Sequence, residues 1–167
     1  ATLDFSGAVT IAAWISPGKQ ATQTVLSKST DSIDGYELGL SNGGKVFVRF
    51  NQASSGNSYR LDSTSSYPTN GSSWLHVVAT YDGSTIRMYI NGVLESSASA
   101  QFTIHANSLV LGIGAEASGV RSMKGRIDDV LLADRALSGS EVAELYNGIY
   151  PGGPAVNQPP SVNAGVD

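Results

Sequence analysis

Residues 36–51 read Tyr-Glu-Leu-Gly-Leu-Ser-Asn-Gly-Gly-Lys-Val-Phe-Val-Arg-Phe-Asn. Tyr36, Leu38 and Leu40 alternate with Glu37, Gly39 and Ser41; beyond Asn42-Gly43-Gly44, Val46, Val48 and Phe50 alternate with Phe47, Arg49 and Asn51. Neighbouring side chains on a strand point to opposite faces, so this period of two marks two strands with one buried face each. The Asn-Gly-Gly triplet tolerates the positive φ that a tight reversal needs, and the stretch is therefore a β-hairpin.

The same period extends outward in both directions. Val9, Ile11, Ala13 and Ile15 alternate with Thr10, Ala12, Trp14 and Ser16 until Pro17-Gly18 ends the run, and a second strand lies near Thr24 to Lys28. Downstream, Trp74 to Tyr81 and Thr85 to Asn91 form a hairpin about Asp82-Gly83-Ser84, with Val77, Ala79 and Tyr81 facing Ile86, Met88 and Ile90. Further strands are predicted at Gly92 to Ser97, Leu109 to Gly114 and Arg126 to Ala133, with a short one near Ser58 to Asp62 inside long polar loops from Gln52 to Ser73. About ten short strands at near-regular spacing predict an all-β, two-sheet antiparallel β-sandwich or jelly roll.

One helix interrupts the pattern near the C-terminus. Ser138 is placed to cap the amide of Glu141 while Glu141 reaches back, and Val142, Leu145 and Tyr146 then share a face until Gly148. After Tyr150, residues 151–160 carry four prolines and no periodicity, which favours an extended spacer. The expected organisation is a sandwich domain over 1–150 and a Pro/Gly-rich linker over 151–167.

At 167 residues and 41% hydrophobic, the chain fills one domain of ordinary size. A net charge of -4 with only 10 scattered Lys and Arg argues against nucleic acid or anionic lipid as a partner. Uncharged stretches such as Ala8 to Pro17 are too short to span a bilayer as a helix, so no membrane insertion is expected. Without cysteine there is neither a disulfide nor a thiolate site.

The runs Val9–Ile15, Trp74–Gly83, Ile86–Gly92, Gly125–Val130 and Arg135–Ser138, in that order and spacing, resemble the laminin G-like, concanavalin A-like jelly-roll family. The resemblance covers residues 5–148 and implies two curved antiparallel sheets packed face to face with a short C-terminal helix. It also implies that Trp14 and Trp74 pack inside, and that one strand usual in the family is missing before Thr2-Leu3-Asp4-Phe5. Residues 157–165, Asn-Gln-Pro-Pro-Ser-Val-Asn-Ala-Gly, resemble the opening of a polycystic-kidney-disease-type repeat. Together they imply a secreted or cell-surface, multimodular bacterial protein with adjacent modules in the same chain.

Candidate chemistry is sparse. Catalytic members of such a family are expected to carry a Glu-x-Asp-x-x-Glu type run, or the Arg, Gln, His and Tyr motifs of alginate lyases, and this chain has neither. Retaining glycoside cleavage needs two carboxylates about 5 Å apart, whereas the adjacent acids Asp128 and Asp129 fall on opposite faces of a regular strand. That pair has two readings: oxygen ligands for a structural Ca2+, or a β-bulge carboxylate bonded to backbone amides or paired with Arg135. The resemblance adds Asp4 as a calcium ligand. The loop Ser29–Gly35 offers Asp31 and Asp34 either for an ion or for Asx turns.

For a bound glycan the candidate contacts are Arg49, Asn51, Arg87 and Tyr89 on the polar face of their strands, Tyr59, Arg60 and Tyr67 in the long polar segment, and His105 and Arg121 in later loops. The leading expectation is a non-catalytic, lectin-like carbohydrate-binding module whose partner is a glycan or polysaccharide. A protein-binding adhesion or spacer module with a protein receptor is the second reading, and a polysaccharide hydrolase or lyase the third.

Overall fold

The predicted hairpin is present with the register counted from its turn. In the computed structural model, which describes residues 3–30, 33–52 and 59–151, Leu40 opposes Val46, Leu38 opposes Val48 and Glu37 opposes Arg49. Ten strands and one helix lie wholly within the described residues: β1 (Val9–Pro17), β2 (Gln23–Thr30), β3 (Ile33–Leu40), β4 (Val46–Phe50), β5 (Arg60–Asp62), β6 (Leu75–Tyr81), β7 (Thr85–Ile90), β8 (Val93–Ser99), β9 (Gly112–Ile113), β10 (Gly125–Ala133) and α1 (Gly139–Tyr146). Two five-stranded antiparallel sheets result, the first ordered β10-β1-β6-β7-β8 and the second β5-β4-β3-β2-β9.

Between the sheets lies one apolar core. Ile11, Ala13 and Ile15 from β1, Val77, Ala79 and Tyr81 from β6, Ile86 and Met88 from β7, and Tyr36, Leu38, Leu40, Val48 and Phe50 from the second sheet are all buried in it, the alternation predicted for each strand. Phe50, Tyr81 and Phe102 close one end, with Tyr81 stacked on Phe102 at 4.2 Å between centroids.

A second, smaller apolar layer lies on the outside of the first sheet. Ala12, Val78 and Tyr89 project outward and are covered by Leu137, Val142 and Leu145. The helix that supplies this cover starts at the predicted capping box: Ser138 accepts from the Glu141 amide at 3.3 Å and the Glu141 carboxylate accepts from the Ser138 amide at 2.8 Å. It ends in a Schellman arrangement, with Gly148 at φ 78° and the amides of Gly148 and Ile149 donating to the carbonyls of Leu145 and Glu144.

Some expectations are corrected. Tyr89 is not on an open face but buried beneath α1, because the polar-side alternation of β7 meets a helix that packs there. The strand expected over Leu109 to Gly114 shrinks to Gly112–Ile113. There, a Cβ at Gly112 would meet the Ala115 carbonyl at 2.2 Å and Gly114 has φ 76°, so the chain turns away from β2 at once. Trp14 is buried, but against His76 and Tyr146 on the helix side rather than between the sheets. Trp74 is half-buried and lies under the Arg126 guanidinium, 5.2 Å from its ring centroid.

Candidate functional site

Among the described residues no helix covers the outer face of the second sheet. Two cross-strand rows run over it: Ser27, Glu37, Arg49 and Arg60 in one, Gly39, Phe47 and Asp62 in the next. With strands about 4.8 Å apart, the longer row spans about 14 Å. The loop before β10 closes over it, because the Thr24 amide donates to the Arg121 carbonyl at 2.8 Å, and Arg121 adopts φ 51°.

This face carries an ordered grid of opposite charges. Glu37, with 0% of its side chain exposed, accepts from Arg49 Nη2 at 2.6 Å and lies 3.2 Å from Arg121 Nη1. Arg121 also pairs with Glu116. Arg60 grips Asp62 with two parallel bonds, Nε to Oδ2 at 2.8 Å and Nη2 to Oδ1 at 2.6 Å, the fork geometry that fixes both partners. Its guanidinium lies 4.1 Å from the Phe47 centroid, and Phe47 in turn is pressed against Gly39, where a Cβ would meet the ring at 2.7 Å. Side-chain exposure rises from Glu37 and Arg49 on the floor to Arg121 at 19%, Arg60 at 22% and Asp62 at 40%. Buried carboxylates hold the floor of the face in place, and fixed donors and acceptors line its rim.

A family model described as the concanavalin A-like lectin/glucanases superfamily matches residues 1–143. The chain belongs to that superfamily. No curated protein matches it at a significant level. Among solved structures, the superfamily fold recurs in the CBM40 of a Ruminococcus gnavus IT-sialidase bound to α2,3-sialyllactose, at TM-score 0.68 and 16% identity over 85% of this chain and 84% of that one. It recurs in the binding domain of Paraclostridial Mosquitocidal Protein 1, at TM-score 0.67 and 20% identity over 86% of this chain. A botulinum neurotoxin type C structure, whose cell entry depends on two ganglioside molecules, matches at TM-score 0.57 and 15% identity over 86% of this chain. This chain spans 38% and 36% of the latter two. At such identities the likeness is one of fold.

Within this jelly roll the predicted ligand contacts separate into groups. Arg49, Arg60 and Arg121 come together on the outer face just described. Asn51 is buried at the end of β4, where its side chain accepts from the His105 amide and donates to the Thr103 carbonyl. Tyr67 is also buried, its hydroxyl donating to the carbonyls of Ser41 and Ala21, and Tyr59 packs against Phe102 at 4.2 Å. Arg87 pairs with Asp82 at 2.5 Å in the β6–β7 turn, and that guanidinium holds the Asp82 carboxyl well below the usual range.

The acids considered for calcium are scattered. Asp4 Oδ1 lies 2.7 Å from Lys28 Nζ, and the same ammonium donates to the Asn107 carbonyl at 2.6 Å and side-chain oxygen at 3.2 Å. The Lys28 hydrogen bond lowers the Asp4 pKa. A lysine ammonium thus occupies the oxygen cradle, and these residues do not fit a calcium ion. It also floors a groove of about 430 Å3 walled by Leu3, Leu109, Val110 and Leu111. Asp34 contacts His105 at 2.5 Å, and Asp31 lies outside the described residues. Asp128 pairs with Trp14, and Asp129 and Val130 form the β-bulge opposite Ala13; there Asp128 accepts from the Asp129 amide at 2.9 Å and Asp129 has φ 47°. Arg135 pairs with Glu141 at 2.7 Å. Among the described residues no three acidic or histidine side chains converge on a point, and no helix is long and apolar enough to cross a membrane.

Three members of the grid were not singled out from the sequence: Glu37, Asp62 and Glu116. Glu37 had a signal, since counting the hairpin register from Asn42-Gly43-Gly44 sets it opposite Arg49. Asp62 is two residues from Arg60 and so shares its face in any strand. Glu116, in a loop, had none.

Proposed function

We propose that the chain is a non-catalytic carbohydrate-binding module of a larger secreted or cell-surface protein, tethering it to a glycan or polysaccharide. The observation that carries this reading is the grid on the outer face of the second sheet, whose rim of Arg60, Asp62 and Arg121 is partly exposed. Sugar hydroxyls both donate and accept, and a surface of guanidinium and carboxylate groups already fixed in position meets them with little ordering cost. The superfamily and its fold neighbours support it: one is a carbohydrate-binding module with sialyllactose bound, another a toxin whose cell entry depends on gangliosides. Each acid of the grid is engaged with an arginine.

A glycan array run with and without calcium tests the proposal. Binding of one glycan class is expected, and absence of binding in both conditions would overturn it. Release of reducing or unsaturated ends from polysaccharides by the pure protein would overturn its non-catalytic part.

A further inference from the structure

We infer that the outer face of the second sheet selects uncharged sugars and disfavours acidic ones; this rests on the glycan-binding reading above. Among the described residues the charges that pair on the face cancel. Arg49, Arg60 and Arg121 stand against Glu37, Asp62 and Glu116, and every one of these arginines contacts at least one of the carboxylates. Residues 53–58, in the chain that joins β4 to β5, are Ala-Ser-Ser-Gly-Asn-Ser and leave this balance unchanged whatever their position.

A sugar carboxylate arriving here would meet guanidiniums that already hold carboxylates. To gain a fork-like contact from Arg60 it would have to displace Asp62, which is two residues away on the same strand and already bonded through Nε and Nη2. It would also bring a negative charge close to Asp62 and Glu37 in a protein of net charge -4. A pair of neighbouring hydroxyls fits without that conflict. One hydroxyl accepts from a guanidinium N–H, the other donates to a carboxylate oxygen, and no net charge is added. Asp62 engages two of Arg60's five N–H groups, and a carboxylate offers about four acceptor positions, so the rim pair has the capacity for such contacts. Arg60, Asp62 and Arg121 are therefore the contact residues. Glu37 and Arg49, on the floor, are positioning residues. Val120, 54% exposed beside Arg121, offers an apolar surface for sugar C–H groups.

The test measures affinities of the full chain for a panel of neutral oligosaccharides and their sialylated or uronate-bearing counterparts, at low and high salt. Neutral ligands are expected to bind at least tenfold tighter than acidic ones, with less than a threefold change on raising salt. Arg60→Ala and Asp62→Ala should each weaken neutral-sugar binding at least tenfold while unfolding cooperatively. Asp62→Asn, which keeps the shape and leaves the face with one excess positive charge, should bring acidic ligands within reach of neutral ones. A tenfold preference of the unmodified chain for acidic glycans would overturn the inference, as would neutral-sugar binding that survives both rim substitutions. Loss of all glycan binding by the unmodified chain would instead overturn the glycan-binding reading itself.

Discussion

The outer faces of the two sheets were built from the same alternation and finished differently. On the first sheet the outward residues include Ala12, Trp14, His76, Val78 and Tyr89, and α1 lies over them, burying Val142 and Leu145. On the second they include Ser27, Glu37, Arg49, Arg60 and Asp62, with Phe47 lying flat beneath a guanidinium. An apolar outer face is unstable in water until something covers it, and the chain's own helix does so. The charged outer face is closed instead by its own ion pairs and by the loop that carries Arg121, which bury Glu37 and Arg49. The helix-covered face is closed by apolar packing, whereas the second face is closed over its floor by ion pairs and the loop before β10, leaving the Arg60, Asp62 and Arg121 side chains partly exposed at its rim.

The largest effect is expected from breaking the grid at its floor. Glu37→Gln leaves the Arg49 guanidinium buried without its counter-charge, and removing one partner of a buried pair costs about 3–5 kcal/mol. A urea unfolding midpoint lowered accordingly, with an unchanged slope, is the expected result. The sharper variant is Glu37→Leu with Arg49→Met. Replacing a buried pair by apolar residues of similar size is often neutral or stabilising, so this double substitution should recover most of the stability. Glycan binding should fall in both variants. Stability restored together with binding would mean that the floor pair serves only to hold the fold.

How much of this was legible follows from what is local. The strands, the hairpin at Asn42-Gly43-Gly44 and the capping box at Ser138 each lie within about ten residues of sequence, where periodicity and turn chemistry act, and they appear in the structure nearly as read. The two outer faces were not distinguishable that way. Tyr89 and Arg49 occupy equivalent polar-side positions of their strands. What buries Tyr89 is a helix about 50 residues further along, and what holds Arg49 is a carboxylate across a hairpin. Glu116 reaches the grid through Arg121, from an irregular loop with no periodicity to read. The resemblance places Trp74 in the core, yet it is half-buried under Arg126, one residue before β6 begins.

A second, smaller effect comes from the helix-covered face and depends on pH. His76 is buried between Trp14 and Tyr146, with ring centroids at 5.0 and 5.8 Å, beside a cavity of about 10 Å3 shared with Asp129, Leu145 and Tyr150. Burial lowers its pKa from 6.5 to about 4. Above pH 6.5 both the folded and unfolded chains hold it neutral, and it contributes no pH dependence. Between pH 6.5 and 4 the unfolded chain takes up a proton that the folded chain does not, so stability falls with pH. The loss approaches about 3 kcal/mol below pH 4, at 1.36 kcal/mol per unit. Lowered carboxylates such as Asp4 and Glu141 also lose stabilisation as acid is added. The measurement is therefore a difference: unfolding free energy from pH 7 to 4.5 for the unmodified chain and for His76→Phe. The unmodified chain should lose more stability over that window, and parallel curves would show that His76 accepts a proton in place.

The smallest expected effect is none at all, and it tests how the two faces are tied together at their edge. The N-terminal segment is pinned to the second sheet by Lys28, whose three N–H groups meet Asp4 and two oxygens of Asn107 at 2.6–3.2 Å. A cation that binds only the folded state would raise the melting temperature by mass action, and a chelator would reverse it. With an ammonium already at the centre of those oxygens, neither added calcium nor EDTA should move the melting temperature. Lys28→Met makes this decisive, because it removes the resident charge and leaves Asp4 and the Asn107 oxygens facing a vacancy. Calcium should then stabilise the variant while leaving the unmodified chain unaffected. A calcium-dependent melting temperature in the unmodified chain would show that an ion is held elsewhere, and the bulge at Asp128 and Asp129 is the first place to substitute.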